Sequence, residues 1–399
     1  MSMILFRISK TPYFLFVCIL VFFLNCGAVK TESMCDRSSD SYWKFTLLAQ
    51  ILGNDTSPCN GIASECGTLK TGENASLVLG QSDFVSSASG SGLNQLYDPR
   101  GVAHDYKGGV WVGDSGNARV LHFSPPLTNG MSPDIVLTAG MSGVSFVTGE
   151  PQGGVWVGDQ NNHRVIHFPN GVATGGTFDI MLGTGSAGIT SNKLYYPMQG
   201  AIDLAGGVWV SDYMNYRVLH FSPPLTNSMS ADIVIGQTDF ITRTLGLAQN
   251  KLNYPQGITV DKNNHLWVAD SSNQRVLRFS SPFSNGMNAD VVLGAPDFTS
   301  TGSGTTQDDS FGGPSGVSTD LNGGVWVGDN GNSRALHFSS PFSNGMNADK
   351  VLGEPDFVST NASNIVSAAY VRNPMGLSFS PCNGLWLTDQ LSNRVLLFP

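Results

Sequence analysis

Charge is scarce in this sequence. Lys, Arg, Asp and Glu together make up 13 % of 399 residues, and the net balance is −9. No cluster of Lys or Arg occurs. Nucleic-acid affinity rests on neutralising phosphates, and attraction to an anionic membrane rests on basic patches, so both classes of partner are disfavoured. After residue 24 no apolar run is long enough to span a bilayer. Chemistry-bearing motifs are missing too. There is no Cys-x-x-Cys, no Gly-x-Ser-x-Gly elbow, no His-Glu-x-x-His and no phosphate-cradling glycine loop. The first absence weighs against a zinc knuckle or redox dithiol, the others against common hydrolase, metalloprotease and nucleotide sites.

Cysteine is sparse, with six in the chain, and its placement follows the N-terminus. Residues 1–28 read as an export signal. Arg7 and Lys10 give a basic start, Tyr13 to Leu24 an apolar run, and Gly27 and Ala28 small residues for cleavage. A loose lipobox at Leu24-Asn25-Cys26-Gly27 offers an alternative, a lipid anchor through Cys26. The chain is therefore expected to be secreted or held at the cell surface. Residues 29–74 form a lead-in rich in Ser, Thr, Asn and Gly. Once the signal is gone, Cys35, Cys59, Cys66 and Cys382 remain. An even count in an exported chain predicts two disulfides, with Cys59–Cys66 and Cys35–Cys382 the favoured pairing. Asn54, Asn74 and Asn361 each open an Asn-x-Ser/Thr acceptor for glycans in a eukaryotic host.

Residues 75–399 are organised by a repeat. The stretch Val110-Trp111-Val112-Gly113-Asp114, followed by Arg119-Val120-Leu121-His122-Phe123, returns around Trp156, Trp209, Trp267, Trp326 and Trp386, at steps of 45 to 60 residues. Each copy keeps an Asp three places after the Trp: Asp114, Asp159, Asp212, Asp270, Asp329 and Asp389. Each keeps an Arg five places after that Asp: Arg119, Arg164, Arg217, Arg275, Arg334 and Arg394. Runs of β-branched and aromatic residues around a polar break read as strand, turn and strand. A further strand precedes each Trp, and a short apolar run such as Val291-Val292-Leu293 follows each loop. Four strands per copy make one propeller blade.

The six copies are out of step with the chain ends. The chain stops after the third strand of the sixth copy, while an unclaimed fourth strand, Leu77-Val78-Leu79, lies before the first Trp. Ring closure by that N-terminal strand resolves the mismatch and removes exposed edges. The predicted fold is an all-β, six-bladed β-propeller of four-stranded antiparallel blades, its last blade completed by the N-terminal strand.

The blade pattern, read for instance as Pro255-Gln256-Gly257 through Trp267, Asp270, Asn273, Arg275 and Phe279, resembles the NHL repeat. The resemblance implies a scaffold that serves binding to proteins, RNA or other ligands, and related six-bladed propellers are lyases or lactonases. Fold alone does not choose between these. Related amidating lyases set three His around a channel zinc. Here one His, His104, falls in an innermost strand, so the lyase pattern is incomplete.

Groups present in every copy read as structural. The Trp residues anchor blade packing. The Asp residues are expected to bond turn amides, and the Arg residues to reach a neighbouring carbonyl or carboxylate. His122, His167, His220 and His337 share one place in the third strand and belong to the repeat, while His163 and His265 are read as turn residues. Each Asp-x-x-Asn turn supplies one carboxylate, too few for a good calcium loop. No cofactor is predicted, although a channel calcium or zinc ion stays open.

Loops divide between two faces because strand direction alternates. First-to-second and third-to-fourth loops share one face and are near copies of each other. The unlike segments are the blade connections 85–98, 139–142, 184–196, 237–254, 295–313 and 354–373 on the opposite face. Function concentrates on variable loops held by a rigid scaffold. That face and the channel mouth are the expected binding site, with His104, Tyr195, Phe311 and Tyr370 as candidate residues; the repeat-aligned Tyr97, Tyr196 and Tyr254 read as wedges between blades. The expected function is a monomeric, non-enzymatic module binding an extracellular protein or glycan. The alternatives are a metal-dependent channel lyase or lactonase, and a structural surface or matrix protein.

Overall fold

The computed structural model describes residues 68–302, 311–359, 365–380 and 384–399. The predicted export signal 1–28, most of the lead-in, all six cysteines, Asn54 and Asn361 lie outside them. Within them the chain forms six four-stranded antiparallel sheets. Their first strands are Pro99–His104, Val144–Gly149, Pro197–Ile202, Pro255–Val260, Pro314–Thr319 and Pro374–Phe379, in blades one to six. First strands of neighbouring blades touch all the way round, blade six against blade one included, so they line the central channel.

Local sequence explains the inner strands. Proline opens five of the six, a position where its missing N–H breaks no ladder bond. Two places on comes Gly in four of those five. A methyl group on Gly101 would meet the backbone of Val147, and one on Gly257 the backbone of Ser315 and Val317. Inner strands converge at the axis, and only glycine lets the backbones pass. A register shift follows each opening residue, consistent with the bend at this point.

The second strands, Val110–Asp114 and its five counterparts, are buried on both faces because blades cover them from each side. This is why Val-Trp-Val is a continuous apolar run with no alternation. His265, read from the sequence as a turn residue, instead starts the second strand of blade four.

Ring closure is as predicted. Leu77–Leu79 pairs with Arg394–Phe398, placing Leu77 opposite Leu397, Val78 opposite Leu396 and Leu79 opposite Val395. Blade one pairs its own outer strand in the same register, Leu137 opposite Val120. Val78 and Leu79 are wholly buried, and Leu69 before them packs into the same cluster as Leu396 and Phe398.

The near-identical third-to-fourth loops have a use that local pattern does not reveal. Each caps the outer strand of the preceding blade. Asn285 Oδ1 accepts the Val234 amide at 2.9 Å, and the Gly286 amide donates to the Val234 carbonyl at 3.0 Å. Asn129 and Gly130 do the same to Val78, Asn227 and Ser228 to Met181, and Asn344 and Gly345 to Val292. Thr174 and Thr71 stand in for Asn in the remaining two. The exposed sheet edges are thus paired locally and closed to further strands.

Candidate functional site

The repeated Asp and Arg form a buried latch under the connection face. The Arg Nε donates to the Asp Oδ2 at 2.7–2.9 Å in all six blades. The expected turn-amide bond is not what the other oxygen makes. Oδ1 of Asp114, Asp159, Asp212, Asp270, Asp329 and Asp389 accepts an amide from the incoming blade connection, that of Tyr97, Ser142, Tyr195, Asn253, Gly312 and Arg372 respectively, at 2.6–2.8 Å. Outside blade two, where the Arg164 guanidinium lies over the Phe178 ring at 5.2 Å, the Arg forks also donate to connection carbonyls. Arg217 reaches Ile189, Thr190 and Lys193 in one connection and Phe240 in the next. Burial raises the pKa of Asp212, Asp329 and Asp389, and that of Asp270 to about 6, with the neighbouring Arg pulling back down. The latches hold the connections in place and are unavailable to a ligand.

The opposite face carries a second repeated device. His122 sits between Asp105 (Nε2, 2.9 Å) and Asp134 (Nδ1, 2.9 Å). His220 lies between Asp203 and Asp232, and His337 between Asp320 and Asp349. In blade two Glu150 replaces the inner Asp and also accepts the Trp156 indole N–H. Burial alone would lower the pKa of His122, His167 and His220, but the paired carboxylates outweigh it and hold all three above the ordinary value. These histidines are structural clamps.

His104 ends the inner strand of blade one. Its Nδ1 is 3.1 Å from Ser378 Oγ on blade six, and its ring lies 4.1 Å from that of Tyr106. Burial lowers its pKa to about 4, so the ring is neutral at pH 7. Among the described residues no group of three His, Cys, Asp or Glu side chains is close enough to hold a metal ion.

The channel mouth on the connection face is unequal around the ring. Between blades six, one and two it is polar: Arg100 pairs with Asp98 at 2.9 Å and contacts Gln160, and Gln390 bonds Asp98 and Asn373. Between blades two, three and four it is aromatic. His163, Tyr195 and Tyr196 form one set, with ring centroids 5.3–6.1 Å apart. Tyr213, Tyr216 and Tyr254 form another. Tyr254 stands 4.9 Å from each partner, and the Tyr216 hydroxyl donates to the Tyr254 hydroxyl at 3.2 Å. Arg243 joins the sets, its guanidinium 5.4 Å from the Tyr195 ring and 5.5 Å from the Tyr216 ring.

The predicted binding residues fare differently. Tyr195 is half-buried in the aromatic cluster. Phe311 is wholly buried, 6.0 Å from Phe338, and is a core residue; it fills the place taken by Leu96, Leu194 and Leu252 in other connections. Tyr370 contributes its carbonyl to Arg394, as Lys193 does to Arg217. Tyr97 is 51 % exposed and aligns with Tyr195, not with Tyr196 and Tyr254, because both Tyr97 and Tyr195 donate their amide to the latch Asp. Tyr213, Tyr216 and Arg243 were missed. Tyr213 and Tyr216 lie inside a repeated turn and Arg243 inside a connection, and nothing local places the three together.

Comparison with known proteins agrees with the architecture. The family model of the NHL repeat matches residues 252–279, which run through Trp267, Asp270 and Arg275 of blade four. A search of curated proteins finds no match. Among solved structures, a protein of unknown function from Bacteroides thetaiotaomicron is similar at 15 % identity, covering 82 % of this chain and 76 % of its own, with a TM-score of 0.53. Virginiamycin B lyase from Staphylococcus aureus, in a catalytically inactive form with quinupristin, is similar at 13 % identity over 78 % of this chain and 87 % of its own, with a TM-score of 0.48. A gluconolactonase from Xanthomonas campestris is similar at 13 % identity over 76 % and 87 %, also with a TM-score of 0.48. The first of these likenesses, at 15 % identity, speaks for the fold alone. The chain is thus a six-bladed β-propeller in which an NHL repeat is matched in blade four and the same Trp, Asp and Arg set recurs in the other five.

Proposed function

We propose that this propeller is an exported binding module that holds an extracellular glycan or protein against its connection face. One observation carries the reading. The mouth on that face gathers unlike, partly exposed groups from several blades: aromatic rings from blades two to four, and amide, carboxylate and guanidinium groups from blades six to two. The opposite face repeats one His–carboxylate clamp in four blades. Rings that are amphipathic and stiff make contact area at low entropic cost.

The test compares the mature chain with a connection-face variant, Tyr213→Ala, and an opposite-face variant, Leu204→Ser, in binding to extracellular glycans and surface proteins. Leu204 is 64 % exposed, so its change should not disturb the fold. Loss of binding in Tyr213→Ala alone is the expected result. Loss in Leu204→Ser alone would overturn the assignment of the face.

A channel enzyme, lyase or lactonase, is the second reading, and the His104–Ser378 contact favours it. Turnover of a lactone or ester that disappears in His104→Ala, with the fold intact, would establish it over the first.

A further inference from the structure

We propose that the blade-three sector of the mouth binds a saccharide that carries carboxylates. The inference rests on the connection-face reading and names the ligand class for it.

Four positions per blade face this mouth. They are the two residues before the inner strand, the first residue of the turn after the latch Asp, and the residue that closes that turn. In blade three all four are tyrosine: Tyr195, Tyr196, Tyr213 and Tyr216. No other blade does this. Blade one has Tyr97, Asp98, Ser115 and Ala118, and blade six has Arg372, Asn373, Gln390 and Asn393. The scaffold therefore does not demand tyrosine at these places.

It disfavours tyrosine at two of them. The backbone is left-handed at Tyr196 (φ 62°) and Tyr216 (φ 55°), and again at Tyr254 (φ 54°) in blade four. At the place of Tyr196 stand Asp98 and Asn373, whose short polar side chains tolerate such a φ, and at that of Tyr216 every blade is left-handed, with Ala118, His163, Gln274, Ser333 and Asn393 there and no other aromatic ring larger than imidazole. Three bulky rings kept half-exposed in an unfavourable conformation, Tyr216 against Tyr254 and Tyr196 against Tyr195, point to a role outside folding.

Arg243 gives the site its charge. It is the one exposed arginine among the described residues, and no carboxylate pairs with it there. Arg100 and Arg278 pair with Asp98 and Asp290, the six repeat arginines pair with their latch Asp, and Arg372 in blade six is half-buried. Two flanking rings hold the guanidinium by cation–π contact, which leaves its planar N–H fork free for a carboxylate. Lys251 is nearby, its ammonium donating to the Thr244 hydroxyl at 2.9 Å. Burial raises the pKa of Tyr213, so its hydroxyl stays a protonated donor at neutral pH.

These groups match an acidic sugar. Ring faces take the C–H face of a pyranose, tyrosine hydroxyls take its hydroxyls, and the guanidinium takes its carboxylate. A nucleic acid would share the stacking but needs several cations along its backbone, and the chain carries −9 overall.

The experiment is calorimetric titration of the mature chain with a galacturonate hexamer and with its carboxyl-reduced, neutral counterpart. The acidic oligomer should bind at least about tenfold more tightly than the neutral one, and more weakly as salt rises. Arg243→Gln should erase the preference, and Arg243→Lys should keep part of it. Equal binding of the two oligomers, a preference that survives Arg243→Gln, or binding of neither by folded protein would overturn the proposal. Hydrogen exchange separates this from failure of the face assignment. A neutral oligomer protecting residues 184–196 and 237–254 would leave that assignment standing, and protection of the 105–109 and 203–207 turns instead would remove both.

Discussion

Arg275→Met tests the latch, the device that couples blade to connection. Arg275 is wholly buried and uses every nitrogen of its fork. Nε donates to Asp270 Oδ2 at 2.8 Å; Nη1 donates to the carbonyls of Leu247 and Phe298, and Nη2 to those of Ala248 and Lys251, at 2.6–3.2 Å. Methionine refills most of the volume but returns none of these bonds. It leaves a buried carboxylate without its counter-charge, a change that costs about 3–5 kcal/mol. Asp270 still has the Asn253 amide and the Asn273 side chain, so the lower half of that range is expected. The pH dependence sharpens the test. Burial already lifts the Asp270 pKa to about 6 against an ordinary 3.8, so folding takes up a proton between those values and this group's contribution falls as pH rises through them. Without Arg275 the folded pKa climbs further. The deficit of the variant should therefore be smaller near pH 5, where Asp270 can protonate and only the lost carbonyl bonds remain, and full at pH 8. Urea unfolding at the two pH values measures it. Arg278→Met is the control, because its partner Asp290 is 41 % exposed and such surface pairs contribute about 0–1 kcal/mol. If Arg275→Met cost no more than Arg278→Met, or if its deficit ignored pH, the latch argument would be wrong.

Four further outcomes are expected. The His clamps should make the propeller less stable as pH rises. His122, His167 and His220 have raised pKa values, so their contribution is complete below the ordinary 6.5 and is lost as pH climbs through the folded values. Their partners Asp105, Glu150 and Asp203 are lowered, so that contribution is lost only on acidification below their ordinary values of 3.8 to 4.5. The melting temperature should fall from pH 6 to pH 9, with a flatter slope in His220→Gln; a rise over that range contradicts the clamp. Val78→Asp puts a charge into the wholly buried closing strand and should lower unfolding free energy by more than about 2 kcal/mol, and an unchanged urea midpoint would argue against closure. Asn285→Ala leaves the Val234 amide without its cap and should cost about 1 kcal/mol in the same assay, with faster amide exchange at Val234. On the proposal that the chain is exported, alkylation of protein collected from the medium before reduction should find no free thiol at Cys35, Cys59, Cys66 or Cys382.

Much of the fold was legible because its determinants are local and repeated. Val-Trp-Val, the Asp-to-Arg turn and the orphan strand at Leu77–Leu79 each announce a strand or turn by composition, and their count requires six blades and a closure. The site was legible only as a face. The equivalent residues stand 17 places before the latch Asp in every blade, but the residue types there differ and no local motif marks the column. A one-residue slip put Phe311 on the surface in expectation and in the core in fact, and it grouped Tyr97 with Tyr196. The latch carboxylates bond amides 17 residues earlier in the chain, and Asn285 caps an amide 51 residues away. Neither partner can be read from a turn.

By itself, then, the sequence determined the secondary structure, the number of blades, their closure and the division of loops between two faces, because strand propensity, turn chemistry and burial pattern act over a few neighbouring residues. Only the tertiary structure decided which side chains meet. Closing the ring brings turns from successive blades to one rim, and there His163, Tyr195, Tyr216, Arg243 and Tyr254, far apart in the chain, become a single surface. Convergence of that kind depends on the radius and stagger of the whole ring, which no single repeat encodes.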